Sequence, residues 1–222
     1  EKEVIKYLRY QAIKFLKEEK KAKYKNADVA SQALAKLMKT LLVKRIDSSF
    51  HAFKESLNRF TIATEAMTKM FANGTVYIAP NLNVNEYVME EREDELLTKM
   101  IALQPTDPTI EICSADDFIA GFAEGLQRDF EILTELNKAW QKIEQDPKLD
   151  EFIRRLDTEL LQKEINPAQK LVVFSESKET TTHIVKHLKA KGRNDVLEIH
   201  SDNRDKLKQT IRENFDANIP TI

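Results

Sequence analysis

Glycine is scarce, with four in 222 residues. A β-sandwich or a large α/β domain needs more turns than that, so the chain is expected to be mostly helix. Cysteine is scarcer still. Cys113 stands alone, no disulfide can form within the chain, and a reducing, cytoplasmic setting fits best. No run of about 18 apolar residues occurs, so neither a membrane-spanning helix nor a membrane partner is expected. No charged-then-apolar leader precedes the first amphipathic stretch, so no secretion signal is read. Asn73-Gly74-Thr75 matches a glycosylation sequon but reads more simply as a helix-ending turn. The chain opens on Glu1 rather than methionine, and a longer parent is expected.

A net charge of −2 conceals an uneven distribution. Residues 1–72 carry 16 Lys/Arg against 8 Asp/Glu, and residues 73–145 carry 5 against 15. The first segment is thus +8 and the second −10, while residues 146–222 balance at 14 against 14. A basic segment followed by an acidic one fits a nucleic-acid face beside a face that avoids nucleic acid. It equally fits two solvated helix faces.

Helical periodicity dominates. Val4, Ile5, Leu8, Ala12, Phe15 and Leu16 predict an amphipathic helix over 2–21. A helical region follows over about 27–71, with a break near Ile46–Ser49. Its later part carries a seam of Phe50, Phe53, Leu57, Phe60, Thr64, Met67 and Phe71, the pattern of core packing rather than of a cofactor pocket. Asn73-Gly74 stops that helix, with Gly74 suited to a left-handed cap. A short strand is predicted over 75–79 and helix over 85–103, before the loop marked by Pro105 and Pro108. Ser114-x-x-Asp117 resembles a capping box opening a long helix, and Asp146-Pro147 reads as an N-cap followed by proline at the first helical position.

The C-terminal part changes character. Lys170-Leu-Val-Val-Phe174 is a β-branched, apolar run of the kind found in strands covered on both faces. A helix follows, carrying Ile184, Val185 and Leu188 and ending at Lys191-Gly192. Val196-Leu-Glu-Ile199 reads as a second strand, and Leu207, Ile211 and Phe215 lie on a last helix. The fold class expected is therefore mostly α with a small C-terminal α/β part: a helical bundle followed by a truncated parallel β-α-β-α unit.

Several of these segments, in order, resemble a known family. Asp146-Pro-Lys-Leu149, Lys170-Leu-Val-Val-Phe-Ser-Glu-Ser177, His200-Ser-Asp-Asn-Arg204 and Ile211-Arg-Glu-Asn-Phe215 look like the start of the C-terminal lobe in superfamily 2 helicase-like ATPases of the chromatin-remodeller (SWI/SNF-class) and RapA-like type. Leu41-Leu-Val-Lys-Arg-Ile-Asp-Ser-Ser49 is similar to the segment joining the two lobes in bacterial members. The resemblance implies three regions. Residues 1–72 would be a basic inter-lobe helical region, 73–145 an acidic helical insertion, and 146–222 the first half of the second RecA-like lobe. It implies duplex DNA, contacted through its backbone, and the remaining lobes of the parent as partners. ATP and magnesium are implied for the parent only. No G-x-x-x-x-G-K-[ST] loop and no D-E-x-H-type acidic strand motif occurs, and the family's arginine-finger motifs are expected beyond Ile222. No catalytic residue and no bound cofactor are assigned to this fragment.

The resemblance implies that Ser175, Ser177 and Lys178, after the first strand, contact phosphates. A helix start with free N–H groups suits an anion there, although a serine in that place also serves as a helix cap, and both roles are compatible. The resemblance makes Ser201 and Arg204, at the equivalent end of the second strand, further candidate nucleic-acid contacts, although a structural role is favoured, with Arg204 bracing the loop. Lys44 and Arg45 sit in the inter-lobe motif, either as a hinge or nucleic-acid contact or as an exposed helical turn. His183 and His187, four apart, have the spacing of a metal pair, but no further ligand lies at suitable spacing, so a surface pair is expected and no metal is assigned. The alternative function is a non-enzymatic helical module that docks a protein partner through its acidic face. A Rossmann-like nucleotide domain would need G-x-G-x-x-G after the first strand, and the chain lacks it.

Overall fold

The computed structural model describes residues 4–22, 27–79, 81–89, 92–107, 110–175 and 177–215. The protein is mostly helical, with one two-stranded antiparallel sheet among those residues. The chain divides into two compact units. One is 1–47 with 53–144, and the other is 48–52 with 145–222.

In the first unit the N-terminal segment is not the continuous helix that its periodicity predicts. A 3-10 helix runs Leu8–Phe15, the backbone straightens at Leu16 and Lys17, and a short helix α1 follows (Glu18–Lys21). Tertiary pairing accounts for the break. Ile119 N–H donates to the Phe15 carbonyl at 2.8 Å and Lys17 N–H to the Asp117 carbonyl at 2.8 Å, and Leu16 bridges Phe118. Leu8 and Leu16 are buried at either end.

Helix α2 (Ala27–Ser48) and helix α3 (Phe50–Ala72) are separated at Ser49, within the break read from the sequence. Gly74, at φ 77°, ends α3 in the left-handed region that a side chain would strain. Strand β1 (Thr75–Ile78) pairs antiparallel with β2 (Glu111–Ser114), Val76 opposite Cys113. Between them lie α4 (Val84–Met89) and α5 (Glu93–Leu103), two helices where one was expected. The capping box is present, with Ser114 N–H donating to Asp117 Oδ2 at 2.9 Å and Asp116 N–H to Ser114 Oγ at 3.2 Å. It opens a single 3-10 turn (Ala115–Asp117) rather than the long helix, which starts after Gly121 at φ 85° as α6 (Phe122–Gln141).

The core of this unit joins Ala66, Met67 and Met70 of α3 to Val76, Leu96, Met100, Ile110, Phe118, Phe122 and Leu126. The charge boundary at 72/73 therefore falls inside one packed body. A second cluster gathers Leu42, Phe53, Leu57 and Leu133, with Phe53 edge-on to Trp140 at 4.6 Å. The aromatic stripe of α3 is core, as its spacing predicts.

Leu8 and Gly125 meet closely: a side chain at position 125 would run into the Leu8 Cδ1 methyl. Alanine in a helix interior gains about 0.5–1 kcal/mol over glycine, but here it must push the leucine tip aside. Gly125→Ala is expected to be neutral or destabilising in the native background and stabilising by about 0.5–1 kcal/mol once Leu8→Ala has cleared the space. A four-corner urea-denaturation cycle measures this. The same sign in both backgrounds would show that the two residues are uncoupled.

In the second unit, Asp146 caps helix α7 (Pro147–Arg155), its Oδ1 accepting from Leu149 N–H at 3.3 Å, with Pro147 at the first position as predicted. The helix widens into a π-helical turn at Leu156–Leu160, where Leu161 N–H reaches the Leu156 carbonyl at 3.2 Å. Helix α8 (Lys178–Ala190) and helix α9 (Arg204–Phe215) occupy their predicted places. The core is small: Leu149, Ile153, Leu156 and Leu188, flanked by Phe152, Leu160, Ile184 and Val196.

The two predicted parallel strands are the main departure. Residues 170–174 and 196–199 join no sheet among the described residues. Val172 is 55% exposed and Phe174 91%. A parallel pair needs cover on both faces, and four-residue apolar segments beside two helices have too little of it.

Candidate nucleic-acid interface

Helix α8 owes its start to Ser177. The serine Oγ accepts from Thr180 N–H at 3.4 Å and donates to Glu179 Oε2 at 2.8 Å, and Ser177 N–H donates to Ser175 Oγ at 3.1 Å. Ser177 is only 3% exposed. The capping role is thus occupied, and its hydroxyl faces inward, while Ser175 is exposed.

Lys178 lies on the surface beside the turn before α9. Its Nζ pairs with Asp202 Oδ2 at 2.7 Å, and Ser201 Oγ donates to Asp202 Oδ1 at 3.0 Å. The shared hydrogen bond holds the Lys178 ammonium above the usual lysine range and the Asp202 carboxyl below the usual aspartate range. Asn203 ties the turn, its Oδ1 accepting from His200 N–H at 2.8 Å and its Nδ2 donating to the Glu198 carbonyl at 3.0 Å. Arg204 is exposed at the start of α9. Lys178 and Ser201 are therefore brought together around Asp202, which the sequence did not single out.

Lys44 and Arg45 fall within α2 in the first unit, Lys44 exposed and Arg45 half-buried with interactions of its own. The end of the same motif lies in the second unit. Ser48 Oγ is 3.1 Å and Ser49 Oγ 3.4 Å from Thr180 Oγ1. Ser49 Oγ also accepts from Ala52 N–H at 3.0 Å, and Phe50 N–H donates to Asp146 Oδ2 at 3.2 Å. The end of the inter-lobe motif thus meets, through hydroxyls, a helix more than 130 residues later that begins just after the Lys170–Ser177 segment. Thr180 was missed: its one sequence signal is its place three residues after the cap.

His183 and His187 are not a simple surface pair. His51 stacks on His183 with centroids 4.2 Å apart and planes 7° from parallel, and His183 meets His187 edge-on at 4.2 Å. Among the described residues no group of three His, Cys, Asp or Glu is arranged to hold a metal ion, and no helix there is long and apolar enough to cross a membrane. No known protein family, curated protein or solved structure matches the chain.

Proposed function

We propose that the chain is part of a cytoplasmic, superfamily 2 helicase-like DNA-dependent ATPase of the chromatin-remodeller or RapA-like type, supplying inter-lobe helices and a turn that touches the DNA backbone. One observation carries the reading. Ser48 and Ser49, which close the inter-lobe motif, hydrogen-bond Thr180 on the first turn of the helix that follows the Lys170–Ser177 segment. In a translocase the element joining the lobes must move with the turn that grips DNA, and a hydroxyl link between them provides that coupling. The sequence carries no G-x-x-x-x-G-K-[ST] loop and no D-E-x-H-type strand motif, so no step of ATP hydrolysis is assigned to it. ATP turnover would belong to the parent's remaining lobes.

The contact surface consists of Ser175, Lys178, Ser201 and Arg204, with Ser177 shaping the helix start beneath them. DNA would have to displace Asp202 from Lys178. Fluorescence anisotropy with a labelled duplex should show affinity falling about tenfold or more between about 50 and about 200 mM salt, as released counterions require. Lys178→Ala should reduce the salt slope by about one, and Asp202→Asn should tighten binding severalfold. Binding that ignores salt, or an Asp202→Asn variant that binds more weakly, counts against the reading.

A second reading, a non-enzymatic docking module, is favoured by the occupied Ser177 hydroxyl and the paired Lys178. Absence of duplex binding at low salt would select it.

A further inference from the structure

We propose that His51, His183 and His187 form a proton-sensitive clasp that fastens residues 48–52 onto the first turns of α8, and that acidification releases it. The segment is held in three ways. The His51 ring lies flat against His183 at 4.2 Å, Ser48 and Ser49 reach Thr180 Oγ1 at 3.1 and 3.4 Å, and Phe50 N–H donates to Asp146 Oδ2 at 3.2 Å. His187 meets His183 edge-on, with its Nδ1 donating to the His183 carbonyl at 2.9 Å, which places a proton on that nitrogen.

In contact with the rings of His51 and His187 and partly withdrawn from water, the His183 imidazole resists charge. The groups that face His183 are His51 from the segment, His187 and Lys186 from its own helix, and Asp146 from the start of α7. Burial, and then the two neighbouring rings, push its pKa down to about 4, with Lys186 acting in the same sense and Asp146 pulling the other way. When the segment lifts away, His183 regains solvent and an ordinary histidine affinity for protons. Protons therefore bind the open state more tightly than the closed one. The clasp is at full strength above the ordinary histidine range and weakens as pH falls from there towards 4.

The test is amide hydrogen exchange on the whole chain, corrected for intrinsic rates. The Phe50 and Ala52 amides, which donate to Asp146 and Ser49, should lose roughly tenfold in protection between about pH 7.5 and about pH 5, while Val185 and Leu188 inside α8 hold theirs. The double variant His51→Phe/His183→Phe keeps two stackable rings that cannot charge, and should hold its protection at the lower pH. Equal protection at both pH values in the native chain overturns the proposal. So does a double variant that opens as the native chain does. Should the double variant fail to fold, the native His183 Cε1–H resonance decides: a titration midpoint well below 6.5 supports the clasp, and an ordinary midpoint sinks it.

Discussion

Phe122→Ala is expected to lower the unfolding free energy by about 4 kcal/mol, the range for deleting a fully buried aromatic ring. Phe122 is the first residue of α6 and wholly buried. Its ring contacts Phe15 at 5.0 Å and both Phe71 and Phe118 at 5.3 Å, so three elements of the first unit converge on it. Two consequences of its removal add: apolar surface is lost from the core, and a space opens that the three converging segments close only in part. Phe122→Leu should cost less, about 1.5 kcal/mol, because most of the volume remains. Urea denaturation measures both. A loss under about 1.5 kcal/mol for the alanine variant would mean that the neighbouring rings collapse into the space.

Asp129→Ala should cost about 3 kcal/mol, for a different reason. The carboxylate accepts the Lys6 amide at Oδ1 and the Leu8 amide at Oδ2, each at 2.7 Å, and so ties the N-terminal segment to α6. Removing it strands the buried Leu8 N–H and frees the part-buried Lys6 N–H, and an unsatisfied buried donor costs about 1–3 kcal/mol. Burial pushes the Asp129 carboxyl above the usual aspartate range, against the pull of the Leu8, Lys6 and Tyr7 amides and of the Lys6 charge. Its folded form therefore binds a proton more readily than its unfolded form, and its contribution is greatest below the usual aspartate range and falls as pH rises through the raised value. The native-minus-variant stability difference should shrink in that direction. Asp129→Asn should recover only part of the loss, since an amide accepts with its oxygen but turns a donor towards the second N–H.

Helix ends were the most legible part of this fold. Asn73-Gly74 and Asp146-Pro147 stop and start helices through backbone preference and one hydrogen bond, both local. Leu8 and Leu16 are buried as their spacing requires, yet the helix between them gives way because Phe15 and Lys17 find better backbone partners at Ile119 and Asp117. Strand β2 escaped notice because Glu111-Ile-Cys-Ser is too short to show alternation. The valines of 171–174 led the other way. Their side chains suit a strand, but a strand exists only where neighbours accept its backbone. At the site, Ser177 was legible as a cap, whereas Asp202 was not, because a carboxylate on a turn looks the same whether it meets water or Lys178. His51 was invisible for the same reason: only the tertiary fold brings it to a helix 132 positions away.

The second unit takes five of its residues from a stretch nearly a hundred positions upstream of the rest. A gene fragment beginning at Gln145 would omit them, leaving Thr180 without its hydroxyl partners and Asp146 without the Phe50 amide. On the ribosome, residues 48–52 emerge long before Thr180 exists, so this piece has to wait for its seat. Closing so large a loop sets a high contact order for the second unit and makes its completion a late event in folding.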